Sequence, residues 1–312
     1  MPASVAVIIL QYGNSEATLN CIRSVEQYNS YPIKYIVVDN ASPLEEDREK
    51  LVAAMKQISD DDVSVVSDND IPSKILPKAT IVLSEKNDGY ARGNNKGLKF
   101  AYADEEIKYI LILNNDTLFV EDIIPQLVHD IETVENCALV SPLMYKKDLV
   151  SIDRFCARYE GRVRDTIVYN LLLFHIPDYI KRATFIPVKY GSGLKVVELI
   201  SGSCIMCRKD LFEQIGSFDP NTFLYCEENI LWEKIKLTGK VNYIDTDLKC
   251  IHLGAATTSK HFSKHLIQES FRSQNYFVKN YLPYGRIKVA LLKLTNVWIL
   301  TALTMRKLLL GR

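Results

Sequence analysis

Polar side chains interrupt the apolar stretch LILNNDTLF at residues 111–119, where Asn114, Asn115 and Asp116 follow three aliphatic residues. Asn and Asp often end strands because their side chains hydrogen-bond the nearby backbone, so a simple turn is one interpretation. Similar polar segments follow two other apolar runs, as LQYGN at residues 10–14 and VDNAS at residues 38–42. If the three runs are neighbouring parallel strands, their polar ends meet in one cleft that can bind a ligand.

The segment NDGYARGNNKG at residues 87–97 carries glycines at intervals of four, at Gly89, Gly93 and Gly97. This spacing fits neither the G-x-G-x-x-G loop of dinucleotide-binding enzymes nor the G-x-x-x-x-G-K-[ST] phosphate loop, which disfavours both classes. We interpret residues 86–95 as a polar loop that leads into a helix. Its permissive backbone, its arginine and its amides suit a diphosphate and the attached sugar. A loop that merely begins a helix is the alternative.

The elements that position these segments follow from apolar periodicity. Strands are predicted in SVAVIIL, KYIVVD, ATIVLSE and YILILNN, and the segments between them have helical periodicity, as in Leu19, Ile22 and Val25. This repeated βαβ pattern predicts an α/β fold with a mostly parallel, twisted sheet and helices on both faces. The acidic residues 60–78, with two prolines, are interpreted as a surface loop or insertion.

The composition limits the class of protein. With 312 residues, of which 47% are hydrophobic, the chain can form one large α/β domain or two smaller ones. Lys plus Arg equals Asp plus Glu at 38 each, so no net charge attracts nucleic acid. The seven scattered cysteines and the absence of a signal-peptide pattern favour a cytoplasmic location. Because no second pair accompanies them, Cys204 and Cys207 are expected to lie in a buried strand.

The C-terminal segment GRIKVALLKLTNVWILTALTMRKLLLGR is apolar and basic. Its longest uncharged run, residues 294–305, has 12 residues and is too short to span a bilayer. We predict a separate helical segment at residues 266–312. Tryptophan and cations among aliphatic residues favour a helix on an anionic membrane surface: Lys288, Lys293, Trp298, Arg306, Lys307 and Arg312. A helix packed on its own domain, or on a second copy in a homodimer, is the alternative.

Seven ordered motifs between about residues 4 and 280 resemble family 2 glycosyltransferases of the GT-A fold, and most closely the rhamnosyltransferase-like branch that builds bacterial surface polysaccharides. They are VAVIILQYGN with LNCIRSV, YIVVDNAS, NDGYARGNNKG, ILILNNDT, SGSCIMCRKDLFEQIGSFDP, FLYCEENILWEKIKLTG and CIHLGAATT. The resemblance implies a Rossmann-like GT-A domain at residues 1–265. Its nucleotide-sugar half would cover about residues 1–140 and its acceptor half about residues 141–265.

The resemblance implies a divalent metal site, because the family's D-x-D signature falls on Asn114, Asn115 and Asp116. In the family this motif holds Mn²⁺ or Mg²⁺, which neutralises the charge of the departing nucleoside diphosphate. Asp116 would be the carboxylate ligand, and His252 matches a position that supplies an imidazole in many members. Asn114 departs from the acidic first residue of the signature, in a form that the branch tolerates. Apart from the resemblance, a structural histidine at a strand end is the simpler interpretation of His252.

The resemblance also implies a catalytic base. The family usually has Glu-Asp where this chain has Glu227 and Glu228, and its second acid deprotonates the acceptor hydroxyl. Glu228 would then be the base, with a side chain one methylene longer than that of the usual Asp. Glu227 would orient a sugar, and its like charge would raise the pKa of Glu228. The alternative is that both acids only interact favourably with a helix N-terminus.

Nucleotide binding is implied along the strand ends. Asp39 matches the acid that accepts the N3 proton of uracil or thymine, and Tyr12 matches the aromatic residue against the base. Capping of the next helix by Asp39 and simple packing of Tyr12 are the alternatives. The other residues implied in binding the nucleotide sugar are Leu10, Asn40, Gly89, Arg92, Asn95, Asn114 and Asn115. On the acceptor side, Gly202 lies in a loop, and Trp232 either stacks on a sugar or packs its helix.

Together these residues lead to the hypothesis of an inverting, metal-dependent glycosyltransferase. Its donor would be dTDP-rhamnose or a UDP-hexose, and its acceptor a glycan or lipid-linked glycan at the inner membrane face. A nucleotidyltransferase shares such a sheet, but LQYGNSEATL lacks the Gly-rich, basic loop expected after the first strand. A catalytically silent nucleotide-sugar or glycan-binding protein is the other alternative, because of Asn114 and of the missing Asp at position 228.

Overall fold

The computed structural model describes residues 5–161, 163–172, 191–254, 264–283 and 285–310. The strands are β1 (Val5–Gln11), β2 (Ile33–Asp39), β3 (Val63–Ser67), β4 (Ala79–Leu83), β5 (Tyr109–Asn114), β6 (Thr117–Phe119), β7 (Cys137–Tyr145), β8 (Ala157–Arg158), β9 (Leu194–Val197), β10 (Leu199–Ile200), β11 (Cys204–Arg208) and β12 (Val241–His252). The helices are α1 (Ser15–Tyr28), α2 (Glu45–Ile58), α3 (Gly89–Ala103), α4 (Ile124–Thr133), α5 (Val163–Leu171), α6 (Lys209–Gln214), α7 (Glu227–Lys236), α8 (Lys264–Asn280) and α9 (Arg286–Leu310). The predicted alternation of strand and helix in the first half is confirmed.

Ten of these strands form one mixed sheet in the order β3-β4-β2-β1-β5-β11-β7-β12-β6, with β9 paired to β12. From β3 to β5 all neighbours are parallel, whereas β11 is antiparallel to both β5 and β7. The central strands β1 and β2 are buried along nearly their whole length. Strands that are covered on both faces need continuous apolar runs. The sequences of β1 and β2 therefore do not alternate between apolar and polar residues.

The register of β1 brings the predicted polar ends together. Leu10 lies opposite Asn114 of β5, and Gln11 lies opposite Asp39 of β2. Strand β1 is the point where the strand order reverses, because the chain continues to β2 on one side of it and returns with β5 on the other. Ligands in such sheets bind beyond the carboxyl ends at this point.

Helix α3 begins at Gly89, so the segment that we interpreted as a loop is already helical in its first turns. A spacing of four puts the glycines on one helical face, and this face lies against the sheet. A Cβ on Gly93 would lie 2.6 Å from the Leu10 side chain, and one on Gly97 would lie 2.7 Å from Ile8. The last two glycines therefore allow close helix-sheet packing, which overrides the low helix propensity of Gly and Asn.

Two other segments can be compared with their predictions. The acidic segment at residues 60–78, predicted as a loop, contains the edge strand β3, which pairs in parallel with β4. Val63 and Val66 are only partly buried and Val65 is exposed, which explains the weak apolar signal. The segment of Cys204 and Cys207 forms the buried strand β11, as predicted.

The C-terminal helices pack around a second, smaller apolar cluster, formed by Val163, Ile230, Phe277, Val278 and Leu292. Ile230 belongs to α7, so this cluster joins the C-terminal helices to the helix that carries Glu227 and Glu228. Among the described residues, no helix is both long and apolar enough to cross a bilayer. The domain boundary at residue 265, the cytoplasmic location and the homodimer stay predictions.

The close contact of α3 predicts that Gly97→Ala lowers the free energy of unfolding by about 1–2 kcal/mol. Overpacking a core costs about 1–3 kcal/mol, and the higher helix propensity of Ala recovers up to about 1 kcal/mol. Urea denaturation measures the change. Gly285→Ala is the matched control, since a Cβ at Gly285 meets no heavy atom within 4 Å. Equal stability of Gly97→Ala and the wild type would contradict the contact with Ile8.

Candidate functional site

A cleft of about 580 Å³ lies at the carboxyl end of β5. Its lining includes four of the predicted site residues, Asn114, Gly202, Glu227 and Glu228. Helices α5 and α8 contribute further lining residues, among them Val163, Asp165, Thr166, Ser270, Gln274, Phe277 and Val278. The cleft therefore combines carboxylates and amides with an apolar wall from the C-terminal helices.

The Asn114-Asn115-Asp116 segment follows β5 and is fixed by hydrogen bonds. The N–H of Asn114 donates to the Ser203 carbonyl at 2.9 Å, and its side-chain amide lies 3.3 Å from the Ser203 hydroxyl. Asn115 is buried and donates to the Thr18 hydroxyl at 3.2 Å. Asp116 is also buried, and its carbonyl accepts the N–H of Leu253. The segment is thus a turn whose acid lies beside the end of β12.

His252, at the end of β12, lies between two carboxylates. Its Nε2 is 3.5 Å from Oδ1 of Asp116 and 3.1 Å from the Ser203 hydroxyl, while its Nδ1 is 2.7 Å from Oδ2 of Asp153. Burial alone would lower the pKa of His252, but hydrogen bonds to Asp116 and Asp153 raise it to about 9. Burial opposes ionisation of Asp153, yet the hydrogen bond from His252 holds the pKa of Asp153 below its usual value.

Glu228 is the more accessible of the two adjacent acids at the start of α7. Its Oε1 accepts the N–H of Gly202 at 3.2 Å, and its Oε2 lies 3.7 Å from Nη2 of Arg158. The chain reaches this helix through Tyr225 and Cys226, both with positive φ. This strained approach brings the first helical turn into the cleft.

Glu227 is buried, and among the described residues its Oε1 has no hydrogen-bond partner. Burial, and then the neighbouring Glu228 carboxylate, raise the pKa of Glu227 to about 8. At neutral pH Glu227 is therefore a protonated acid that can donate a hydrogen bond.

Tyr90, which sequence reasoning missed, connects α3 to the same site. Its hydroxyl donates to the Gly202 carbonyl at 2.7 Å, and a Cβ on Gly202 would lie 2.4 Å from this hydroxyl. A side chain at position 202 would therefore displace Tyr90, and the peptide of Gly202 links Tyr90 to Glu228. The only signal in the sequence was the position of Tyr90 inside the NDGYARG segment.

Two further residues, Asp153 and Arg158, were also missed. Both lie between β7 and α5, in a segment whose strand β8 has only two residues. Such an irregular segment has no periodicity from which to infer contacts. Only the structure reveals their proximity to His252 and Glu228.

At the predicted nucleotide end, Tyr12 is exposed and Asp39 is fully buried. Asp39 accepts the N–H of Ser42 at 2.6 Å and lies 3.4 Å from Nε of Arg48. Asn40 is buried and hydrogen-bonds Asn87, Asp88 and Gly89. These contacts stabilise the strand ends, and contact with a nucleotide stays a prediction for these residues and for Leu10.

Three of the remaining predicted residues connect α3 to the loop before α7. Nε of Arg92 donates to the Pro220 carbonyl at 2.6 Å, and Asn95 exchanges two hydrogen bonds with the backbone of Phe218. A Cβ on Gly89 would lie 2.1 Å from the Phe223 carbonyl. Trp232 is buried in the main core. Their ligand contacts also stay predictions.

Comparison with known proteins identifies the family. The family model described as "Glycosyl transferase family 2" matches residues 6–216. The chain belongs to this family. The match includes the Asn114-Asn115-Asp116 turn and Gly202, and it ends before Glu227 and His252. The predicted family is therefore confirmed.

Two curated relatives are similar at low identity. The low-salt glycan biosynthesis hexosyltransferase Agl10 of Haloferax volcanii is 24% identical over 225 residues, which cover 72% of this chain and 58% of the relative. The rhamnosyltransferase WbbL of Escherichia coli K12 is 25% identical over 181 residues, which cover 56% of this chain and 65% of the relative. The chain thus spans less than two thirds of either relative.

Solved structures confirm the predicted GT-A fold. GalNAc-T7, in a crystal structure with UDP, GalNAc and Mn²⁺, superposes with a TM-score of 0.59 at 15% identity, covering 95% of this chain and 55% of that chain. The mannosyltransferase PcManGT from Pyrobaculum calidifontis, in complex with GDP-Man and Mn²⁺, superposes with a TM-score of 0.55 at 15% identity. The superposition covers 96% of this chain and 72% of that chain. At this identity the likeness shows the fold alone.

The buried acid predicts a pH-dependent stability. The unfolded chain ionises Glu227 near its ordinary pKa of about 4.5, whereas the folded chain does so near about 8. The contribution of Glu227 to folding therefore becomes less favourable as pH rises through this window. Glu227→Gln, which imitates the neutral acid, should exceed the wild type in stability by at least about 1 kcal/mol at pH 8. Urea denaturation from pH 4 to pH 8 measures this difference, and a pH-independent difference would contradict it.

Proposed function

We propose that this family 2 glycosyltransferase moves a rhamnose or a hexose from a dTDP- or UDP-sugar to a glycan or lipid-linked glycan acceptor, with inversion, in surface polysaccharide synthesis. The observation that most supports this proposal is the Glu228 carboxylate, which lines an open cleft together with Asn114 and is hydrogen-bonded by Gly202. The names of the two curated relatives, a hexosyltransferase and a rhamnosyltransferase, favour these sugars.

In the proposed reaction, Glu228 accepts the proton of an acceptor hydroxyl. The hydroxyl oxygen attacks the anomeric carbon from the side opposite the diphosphate, and a new C–O bond forms as the bond to the phosphate oxygen breaks. The electron pair of the broken bond leaves with the nucleoside diphosphate, and the configuration inverts. Gly202 holds the Glu228 carboxylate by its N–H, which orients the base before the acceptor binds.

Glu227 has a different role in this proposal. Because it is protonated at neutral pH and lines the cleft, the Glu227 carboxyl group can donate a hydrogen bond to a sugar hydroxyl there. A neutral acid avoids a second negative charge beside the base. Glu227 therefore orients a sugar, and Glu228 accepts the proton.

The residues at the strand ends fit a divalent cation, Mn²⁺ or Mg²⁺. Asp116 and His252, whose Oδ1 and Nε2 lie 3.5 Å apart, would hold the cation. Asp153 holds Nδ1 of His252, so that Nε2 faces Asp116. Within the described ranges no group of three or more His, Cys, Asp or Glu could hold a metal, so the donor diphosphate would complete the shell. When bound, the cation neutralises the leaving group.

Two alternatives remain testable. A catalytically silent binding protein would be protected against thermal unfolding by a nucleotide sugar without turning it over. A nucleotidyltransferase would release pyrophosphate from a nucleoside triphosphate. A screen of dTDP- and UDP-sugars for thermal protection, followed by assays of both reactions, distinguishes these from the proposed transfer.

The proposed base predicts that Glu228→Gln binds the donor nearly normally but loses at least about 100-fold in turnover, the scale expected for loss of a general base. Calorimetric titration with the donor and a transfer assay measure the two quantities. Glu213→Gln, at an exposed position on α6, is the matched control and should retain wild-type turnover. If Glu228→Gln turns over within a few-fold of the wild type, Glu228 is only a charge at a helix end.

The proposed metal site predicts that Asp116→Asn abolishes Mn²⁺ binding in the presence of UDP, and that Asp153→Asn weakens it by about 10–100-fold through loss of the orientation of His252. Electron paramagnetic resonance of free Mn²⁺ measures both affinities without any turnover. Asp210→Asn, at an exposed carboxylate paired with Arg208, is the control. Unchanged affinity in Asp116→Asn would overturn the metal site, and unchanged affinity in Asp153→Asn would overturn the positioning role of Asp153.

A further inference from the structure

The buried side of helix α9 contains polar as well as apolar side chains. On its inner side, Thr295 and Asn296 are buried beside Leu292 and Ile299. Nδ2 of Asn170 donates to Asn296 at 2.5 Å, and Asn296 donates to Gln274 of α8 at 3.2 Å. Buried amides need such partners, so these hydrogen bonds fix which face of α9 points inward.

The outer face of α9 is apolar and exposed. Ile287 is 77% exposed, Leu294 65% and Trp298 52%, and the same face includes Leu291 and Met305. From residue 287 to residue 305 the face extends for about 27 Å, at about 1.5 Å per residue. Although α9 also buries Leu292 and Ile299, an outer face of exposed Trp and Leu differs from the polar outer face of a helix adapted to water.

The charges of α9 all have one sign. Arg286, Lys288 and Lys293 are exposed, and no acid occurs between residues 286 and 310. If two copies of α9 paired through this face, in either orientation, the cations of one copy would lie near those of the other. The helix carries no acid that could neutralise them. An anionic lipid surface would attract the cations and bury the apolar side chains.

We propose that α9 is an interfacial helix that docks the protein on anionic membrane lipid through Ile287, Leu291, Leu294, Trp298 and Met305. This inference does not depend on the transfer reaction. It bears on the acceptor, however, because α9 is hydrogen-bonded through Asn296 to Gln274, which lines the cleft. Docking would hold the wall of the cleft near the lipid surface, where a lipid-linked acceptor is found.

Vesicle flotation of the full chain tests this proposal. Vesicles of phosphatidylcholine with phosphatidylglycerol should bind the protein, binding should weaken with added salt, and vesicles of phosphatidylcholine alone should bind it at least about fivefold more weakly. Leu294→Glu and Trp298→Glu should abolish binding, and Lys293→Gln should weaken it about fivefold. Leu237→Glu is the matched control, since Leu237 is 88% exposed and lies outside α9; it should bind as the wild type does. Thermal unfolding checks that each variant is folded.

Failure of the wild type to bind anionic vesicles would overturn the proposal, as would equal loss of binding in Leu237→Glu. Light scattering measures the oligomeric state and so tests whether a second copy of the chain covers this face instead of lipid. If the wild type ignores vesicles and Trp298→Glu converts a dimer into a monomer, the face belongs to a second copy. Transfer activity in detergent is a separate readout, so failure of docking and failure of the proposed reaction can be told apart.

Discussion

The pairing of β1 with β2 on one edge and β5 on the other sets the geometry of the cleft, because it aligns the ends of three strands that are far apart in the chain. Leu10 is held opposite Asn114 and Gln11 opposite Asp39. A slip of one residue would turn every side chain of a strand to the opposite face. Since the central strands are buried on both sides, such a slip is resisted by core packing rather than by polar contacts.

The turn between β10 and β11 then joins the two halves of the site. The Ser203 carbonyl accepts hydrogen bonds from Asn114 and Thr117, and its hydroxyl contacts His252. One residue earlier, Gly202 links Tyr90 to Glu228. The proposed metal ligands and the proposed base are thus positioned by two consecutive residues, so a shift of this turn would move both. A glycine and a serine, neither reactive by itself, therefore have a positioning role here.

The sequence was sufficient for the α/β class, for the order of the first strands and for the meeting of their polar ends, because continuous apolar runs and helical periodicity depend on local residues. It was insufficient where tertiary contact overrides local preference. Helix α3 begins within a Gly- and Asn-rich segment because Gly93 and Gly97 pack on the sheet, and no local rule favours a helix there. Asp153 and Arg158 could not be found, since they act across an irregular segment. The sequence also could not show which face of α9 is exposed, because that face is set by the buried hydrogen bonds of Asn296.

Adjacent acids at the start of α7 obtain different properties from their surroundings. Glu227 points into a buried environment and is protonated at neutral pH, whereas the contacts of Glu228 are a backbone N–H and the cation of Arg158. The positive φ of Tyr225 and Cys226 directs the two side chains, because the helix begins abruptly after them. In the proposed reaction, Glu227 donates a hydrogen bond while Glu228 accepts a proton. Such a division of roles arises from burial and hydrogen bonding, and the identical residue types at positions 227 and 228 could not have indicated it.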